Sequence, residues 1–288
     1  RRDFSINSIY SDQDGNLFDP NNGKKDLEEG RINFIGDTET RIKEDYLRIL
    51  RYVRFFINYS KHKHKPEIIR IIKRNIDGVY KLSNDRLLDE FKKLTKSNGF
   101  LKLFKDEESL EIIEIIFPQL KNFKIFKKPN EYAKDNFTKI DFIFLLSLMI
   151  VDGTDNSDYF IYKFNMSKKD QKRLNFINNF YKEKVNIKNF SEKNLYKFFY
   201  FNGKEAVIDI INFKIFISSK VEKKLVKLVK IYKEKVTPTM PIGADILMTK
   251  YNIPEGRTLG RKLKMIEEMW VNNNFTISEK QIQRIVQN

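Results

Sequence analysis

Cysteine is absent from this chain, histidine occurs twice and tryptophan once. The first absence excludes disulfide scaffolds, thiolate zinc sites and cysteine nucleophiles together. Both histidines lie in Lys61-His62-Lys63-His64-Lys65. The lysines around them oppose cation binding, so the segment reads as a solvated or phosphate-facing loop. Ser/His/Asp catalysis has no support. No apolar run reaches the roughly 18–20 residues of a membrane span. The longest, 142–151, is broken by Ser147 and ends at Asp152-Gly153. No membrane partner is expected and no signal peptide is visible. The expected location is cytoplasmic.

What is present points to a folded, basic protein. The 288 residues are 41% hydrophobic and 14% aromatic, enough for two or more packed units. Lys and Arg outnumber Asp and Glu by 55 to 39, a formal net charge of +16. Such an excess favours a polyanionic partner, nucleic acid first. An AT-rich coding bias would also enrich Lys, Ile and Asn, so composition alone does not decide the partner.

Residues 1–42 read as strand and turn. Ser5–Tyr10 alternates as a strand, Asp12–Asn16 is a hairpin signal, Leu17-Phe18 resumes, and Arg31–Gly36 is a last short strand. Two or three strands make no independent sheet, so this segment is expected to end a sheet begun elsewhere. From Ile42 onward the pattern is helical. Helices are expected over Glu44–Asn58, after Pro66, after the N-cap Ser83 and in three apolar runs between 100 and 151. Further helices are expected near Lys168–Glu183, Glu192–Phe201, Lys204–Phe216 and Val221–Lys235, with three short ones at the end. The fold class is α+β, predominantly α-helical.

Four stretches could carry chemistry. Arg1-Arg2-Asp3-Phe4-Ser5-Ile6-Asn7 sets arginines suited to phosphate beside groups that accept from a ribose hydroxyl, or it is a surface strand end. In 44–54, Tyr46, Ile49, Leu50 and Val53 form an apolar stripe, while Glu44, Asp45, Arg48 and Arg51 take the other face. That face is either solvated i,i+4 pairs or a set of acceptors and donors for a flat ligand such as a nucleobase. Lys220, Lys223, Lys224 and Lys227 form a solvent face or a phosphate-tracking surface. Gly260 costs about 1 kcal/mol if helical, which close approach of a backbone or an RNA phosphate would explain. Asp12, Asp14, Asp19 and Asp26 fall in turns at irregular spacing and serve the backbone there.

In order and spacing, several of these segments resemble one family. They are Arg1–Asn7, Asp19-Pro20 with Gly23 and Asp26-Leu27, Phe34-Ile35-Gly36, and Glu44-Asp45-x-x-Arg48 with Arg51 and Arg54-Phe55. The family is the class II tRNA nucleotidyltransferase/poly(A) polymerase family. Leu82–Arg86 with Glu90 is similar to its next motif, and Pro241–Leu263 to the tail of its CCA-adding members. The wording around Arg48 is most similar to the alphaproteobacterial and mitochondrial branch.

The resemblance implies the end of a nucleotidyltransferase head over 1–42, a nucleotide-selecting neck over 43–99, a helical body over 100–156 and a tRNA-binding body and tail over 157–288. It implies addition of CMP and AMP, as CCA, to tRNA 3′ ends from CTP and ATP with Mg²⁺. Arg1, Arg2, Asp3 and Asn7 would bind ribose and phosphates. Glu44, Asp45 and Arg48 would select the base, Arg51 would bind the nucleotide beside them, and Arg86 and Glu90 would brace them. Lys220, Lys223, Lys224, Lys227, Gly256, Gly260 and Arg261 would hold the tRNA from its 3′ end to its elbow.

Two alternatives stay open, a poly(A) polymerase and an inactive RNA-binding fragment. Asp85 stands where Glu is usual, and Ser5 and Ser8 replace Thr and Ala. The family's metal-binding aspartates are not found after Arg1, so catalytic and metal residues are expected to be none in this chain. It is then expected to be inactive alone: a truncated copy, a degraded gene or half of a split enzyme with a separate N-terminal head fragment.

Overall fold

A computed structural model of the chain describes residues 2–182 and 190–287. The chain divides into two compact units, Arg1–Lys182 with Phe213–Val221, and Glu183–Asn212 with Glu222–Asn288.

The first unit opens with a two-stranded antiparallel hairpin, β1 (Tyr10–Ser11) and β2 (Leu17–Phe18), joined by the expected turn. The Ser5–Tyr10 strand does not form. Ser5–Asn7 is a 3₁₀ turn, because Asn7 Oδ1 accepts from the Phe4 N–H at 3.2 Å and Ser8 Oγ donates to the Ser5 carbonyl at 2.8 Å. These local bonds outcompete a ladder. The Arg31–Gly36 strand shrinks to one antiparallel bridge, Phe34 to Phe4.

Between them lies α1 (Gly23–Glu29), where only turns were expected. Asp19 starts it, accepting from the N–H groups of Gly23 and Lys24 at 2.7 and 2.8 Å, and Gly30 ends it at φ +70°. Asp12 likewise accepts from the N–H groups of Asp14 and Asn16. Asp12 and Asp19 thus bind backbone, whereas Asp26 departs from that expectation: it is buried in α1, and its carboxylate accepts from the side chains of Ser5, Arg31 and Asn33.

The expected Glu44–Asn58 helix starts only at Leu47, and a separate helix stands before it, mostly where strand and turn were expected. α2 (Thr38–Glu44) stops at Asp45, which is extended at φ −156°, and α3 (Leu47–Tyr59) follows. Asp45 Oδ1 accepts from the Leu47 N–H at 3.1 Å, an Asx turn that competes with continuing the helix. Beyond the break the apolar stripe is buried as its period requires, with Ile49, Leu50 and Val53 fully so.

α4 (Pro66–Asn75) begins on its proline and α5 (Asn84–Thr95) on the Ser83 cap. Then come α6 (Glu107–Ile116), the short α7 (Lys124–Lys127) and α8 (Glu131–Asn136), and α9 (Phe142–Ile150). The apolar run in α9 is a core helix, buried from Phe144 to Val151. α10 (Asn156–Lys163) and α11 (Lys168–Lys182) follow.

His64 corrects the solvated-loop expectation. Its ring stacks on Phe56 at 3.4 Å between centroids and meets the Tyr52 hydroxyl at 3.0 Å and Asp106 at 2.9 Å. His62 is exposed, as expected.

α12 (Glu192–Ile217) is interrupted at Gly203, whose φ of +83° suits glycine, and its residues from Phe213 on belong to the first unit. The second unit continues with α13 (Lys223–Glu234), α14 (Ala244–Tyr251), α15 (Arg257–Asn272) and α16 (Glu279–Gln287). Trp270 is buried there, edge-on to Tyr200 and Phe275. Among the described residues no helix is long and apolar enough to cross a membrane.

Candidate functional site

The break at Asp45 gathers the polar residues of the first unit. The strand-like entry is fixed by the backbone, with the Ile35 N–H donating to the Asp3 carbonyl at 3.1 Å and the Ser5 N–H to the Asn33 carbonyl at 3.0 Å. Asp3 is therefore held against α3. Its buried carboxylate accepts from Arg48 Nε at 2.8 Å and from Arg51 Nε at 2.5 Å. Arg48 Nη1 donates to Glu44 Oε2 at 2.6 Å and to the Arg41 carbonyl at 2.5 Å.

Three of the five Arg48 donors are thus fixed, and Nη2 has no partner among the described residues. A guanidinium clamped this way presents its remaining donors in one orientation. Burial opposes its charge, but the bonds to Glu44 and Asp3 outweigh that and raise its pKa. The same Arg48 bond, with Arg41 close by, holds the Glu44 carboxyl below the ordinary carboxylate range.

Asp45 stands beside this clamp with its acceptors in a fixed pose. Oδ1 takes the Leu47 N–H, and Oδ2 takes Arg86 Nη2 at 2.8 Å. Arg86 is itself in the first turn of α5, its N–H on the Ser83 hydroxyl at 3.4 Å. The next residue in the break, Tyr46, lies over Gly78. A Cβ on Gly78 would fall 2.0 Å from the Tyr46 ring, so only glycine lets the ring sit there. Glu90, buried on α5, accepts from Arg54 Nε at 2.5 Å and lies 3.7 Å from Arg51 Nη1.

The structure therefore brings together Asp3, Glu44, Asp45, Arg48, Arg51, Arg86 and Glu90 from the sequence-derived set. Of the two readings of this face, solvated pairs do not describe Arg48, which is buried in an ion-pair network with Asp3 and Glu44. Arg2 joins through its backbone, its carbonyl accepting from Arg41 Nη2 at 2.6 Å, while its side chain is exposed over Tyr10. Asn7 is occupied in closing the 3₁₀ turn. Arg1 lies outside the described residues.

Arg41, Tyr46 and Gly78 were missed. Arg41 had one usable signal, its i,i+3 spacing to Glu44. Gly78 had none, since its role depends on a ring 32 residues away in the chain.

In the second unit, Lys223, Lys224 and Lys227 are exposed along α13, and none pairs with a carboxylate among the described residues. Lys220, in the first unit, is exposed as well. Gly256 caps α15 at φ +147°, and a Cβ at Gly256 or Gly260 would meet open space. No described backbone approaches Gly260 closely, which removes one of the two explanations for a helical glycine there. Arg261 is exposed one residue on. Among the described residues no group of three or more His, Asp or Glu side chains could hold a metal ion. The arginines around Asp3 and Glu44 would repel a cation, so the neck cluster does not fit Mg²⁺.

Residues 1–33 match the Poly A polymerase head domain family profile. The chain is similar to the mitochondrial CCA tRNA nucleotidyltransferase 1 of Mus musculus, 28% identical over 291 residues, which are 98% of this chain and 64% of that protein. It is 43% identical to the Homo sapiens protein of the same name over 100 residues, 34% of this chain and 23% of that one. The chain thus spans less than two thirds of the length of these curated relatives. A crystal structure of the Bacillus stearothermophilus CCA-adding enzyme in complex with CTP superposes with a TM-score of 0.69 at 17% identity, over 99% of this chain and 72% of that one. The fold, mostly helical with a small sheet at its start, is that of a CCA-adding enzyme. With these matches and the ordered motifs from Arg2 to Glu90, the chain is similar in fold and in motif order to the class II tRNA nucleotidyltransferase/poly(A) polymerase family.

Proposed function

We propose that this chain selects CTP and ATP and holds tRNA for the addition of CMP and AMP to the tRNA 3′ end. One observation carries the reading: Arg48 is clamped by Asp3 and Glu44, its Nη2 without a partner among the described residues, next to the fixed carboxylate of Asp45. Cytosine and adenine each offer an amine donor beside a ring-nitrogen acceptor, which matches a carboxylate and a guanidinium. Uracil and guanine offer the reverse order and leave both protein groups unpaired.

Arg2, Asp3, Asn7 and Arg51 would then take ribose and phosphates, while Arg86 and Glu90 keep the break in place. Lys220, Lys223, Lys224 and Lys227, exposed and without a carboxylate partner among the described residues, suit tRNA phosphates. The open N-terminus of α15, with Gly256, Gly260 and Arg261, suits a phosphate close to the backbone. Mg²⁺ is a cofactor of the whole reaction, held by groups other than this cluster, and supplies Lewis-acid chemistry there.

The test incubates the purified chain with tRNA lacking its CCA end, CTP, ATP and Mg²⁺, with and without the N-terminal head of a CCA-adding relative. Sequencing of products ending in CCA when the head is supplied supports the reading. Runs of A would favour polyadenylation instead. Addition by the chain alone would contradict its restriction to selection and binding.

A further inference from the structure

The first unit carries an open groove of about 710 Å³ that the nucleotide-selecting cluster does not use. α10 lines it with Tyr159, Tyr162 and Lys163, and Asn84, Gln119 and Asn165 contribute amides. Tyr159 and Tyr162 are spaced i,i+3 and share a helix face. They are 70% and 88% exposed, and neither ring touches another aromatic among the described residues. Large aromatic rings left this bare on one face mark an interaction surface.

The remaining lining narrows the ligand. Lys163 lies 5.9 Å from the ring centre of exposed Tyr80 and pairs with no carboxylate among the described residues. Gln119 Oε1 is buried with no hydrogen-bond partner among the described residues. No carboxylate lines the groove, and the whole chain carries +16. Flat faces, amide donors and acceptors, and a lysine with no carboxylate partner among the described residues fit bases, base edges and a phosphate.

We propose that this groove is a stacking platform for single-stranded RNA, separate from the nucleotide-selecting cluster. It goes beyond the proposed nucleotide selection, since no group of Asp45 or Arg48 takes part. The two places share only α5, which carries Asn84 at its start and Arg86 two residues later. Stacking on tyrosine tolerates any base, so the platform holds a strand without reading its sequence.

The test measures fluorescence anisotropy of a labelled ten-nucleotide oligo(U) RNA against the full chain. The Tyr159→Ala/Tyr162→Ala variant is expected to bind about 10- to 100-fold more weakly. Tyr159→Phe/Tyr162→Phe keeps the ring faces and is expected to retain wild-type affinity. Both tyrosines are exposed, so thermal melting should be unchanged. Irradiation of 5-iodouridine RNA should place crosslinks within 159–163, read by mass spectrometry. Wild-type affinity in the alanine variant, crosslinks confined to α13, or no oligo(U) binding at all would each overturn the proposal. The alanine variant is expected to keep its preference for CTP over UTP, so this proposal and nucleotide selection fail separately.

Discussion

Arg48 donates its Nε–H to Asp3, 45 residues away in the chain, at 2.8 Å. Asp3 also accepts from Arg51, so one buried carboxylate balances two guanidiniums on α3. Removing its charge leaves Arg48 with Glu44 alone and Arg51 with Glu90 at 3.7 Å. Asp3→Asn should lower stability by about 3 kcal/mol, the usual cost of breaking a buried pair. Urea unfolding measures this, and a loss below about 1 kcal/mol would mean water replaces Asp3 freely.

The contact of Tyr46 with Gly78 gives a sharper test. Gly78→Ala forces the ring away, because its Cβ would fall 2.0 Å from it. Overpacking of this kind costs about 1–3 kcal/mol. Tyr46→Ala in the same chain should recover much of the loss, since the clash is then gone. Additive losses in the double variant would show that the two residues are not coupled.

His64 and Asp106 set a pH dependence at the acid end. Burial would raise the Asp106 carboxyl, but hydrogen bonds from His64 and Ser109 outweigh it and pull the pKa to about 2. A depressed carboxylate contributes its stability above the unfolded value of 3.8 and loses it as pH falls toward 2. About 2 kcal/mol should therefore disappear between pH 4 and pH 2. Asp106→Asn should flatten that part of the stability curve, and an unchanged curve would remove the assignment.

Gly260 separates folding from binding. With open space around its Cβ position, Gly260→Ala should stabilise α15 by about 0.5–1 kcal/mol. Gly260→Glu should weaken tRNA binding by placing an anion where a phosphate is proposed. Equal tRNA affinity in the glutamate variant would take α15 out of the interface.

Legibility in the sequence followed the range of the interactions. The stripe from Ile49 to Ile57 was readable because burial repeats every three or four residues along one helix. The break at Asp45 was not, since the Asx bond to Leu47 competes with a helix pattern that runs straight through it. α1 was hidden because Asp19 caps it from four residues upstream of its first helical residue. The burial of His64 came from Asp106 and Ser109, more than 40 residues on, while its immediate neighbours are lysines. Motif order supplied the members of the neck cluster. Their pairing, with Arg48 clamped by Asp3 rather than solvated, became visible only in three dimensions.

Nucleotide discrimination by Asp45 and Arg48 is the most direct measurement. Equilibrium binding of CTP, ATP, UTP and GTP to the full chain should favour the first two. Asp45→Ala and Arg48→Ala should each reduce that preference about 5- to 100-fold, while tRNA affinity changes little. Undiminished preference in both variants, or a parallel loss of tRNA binding, would contradict base selection at this site.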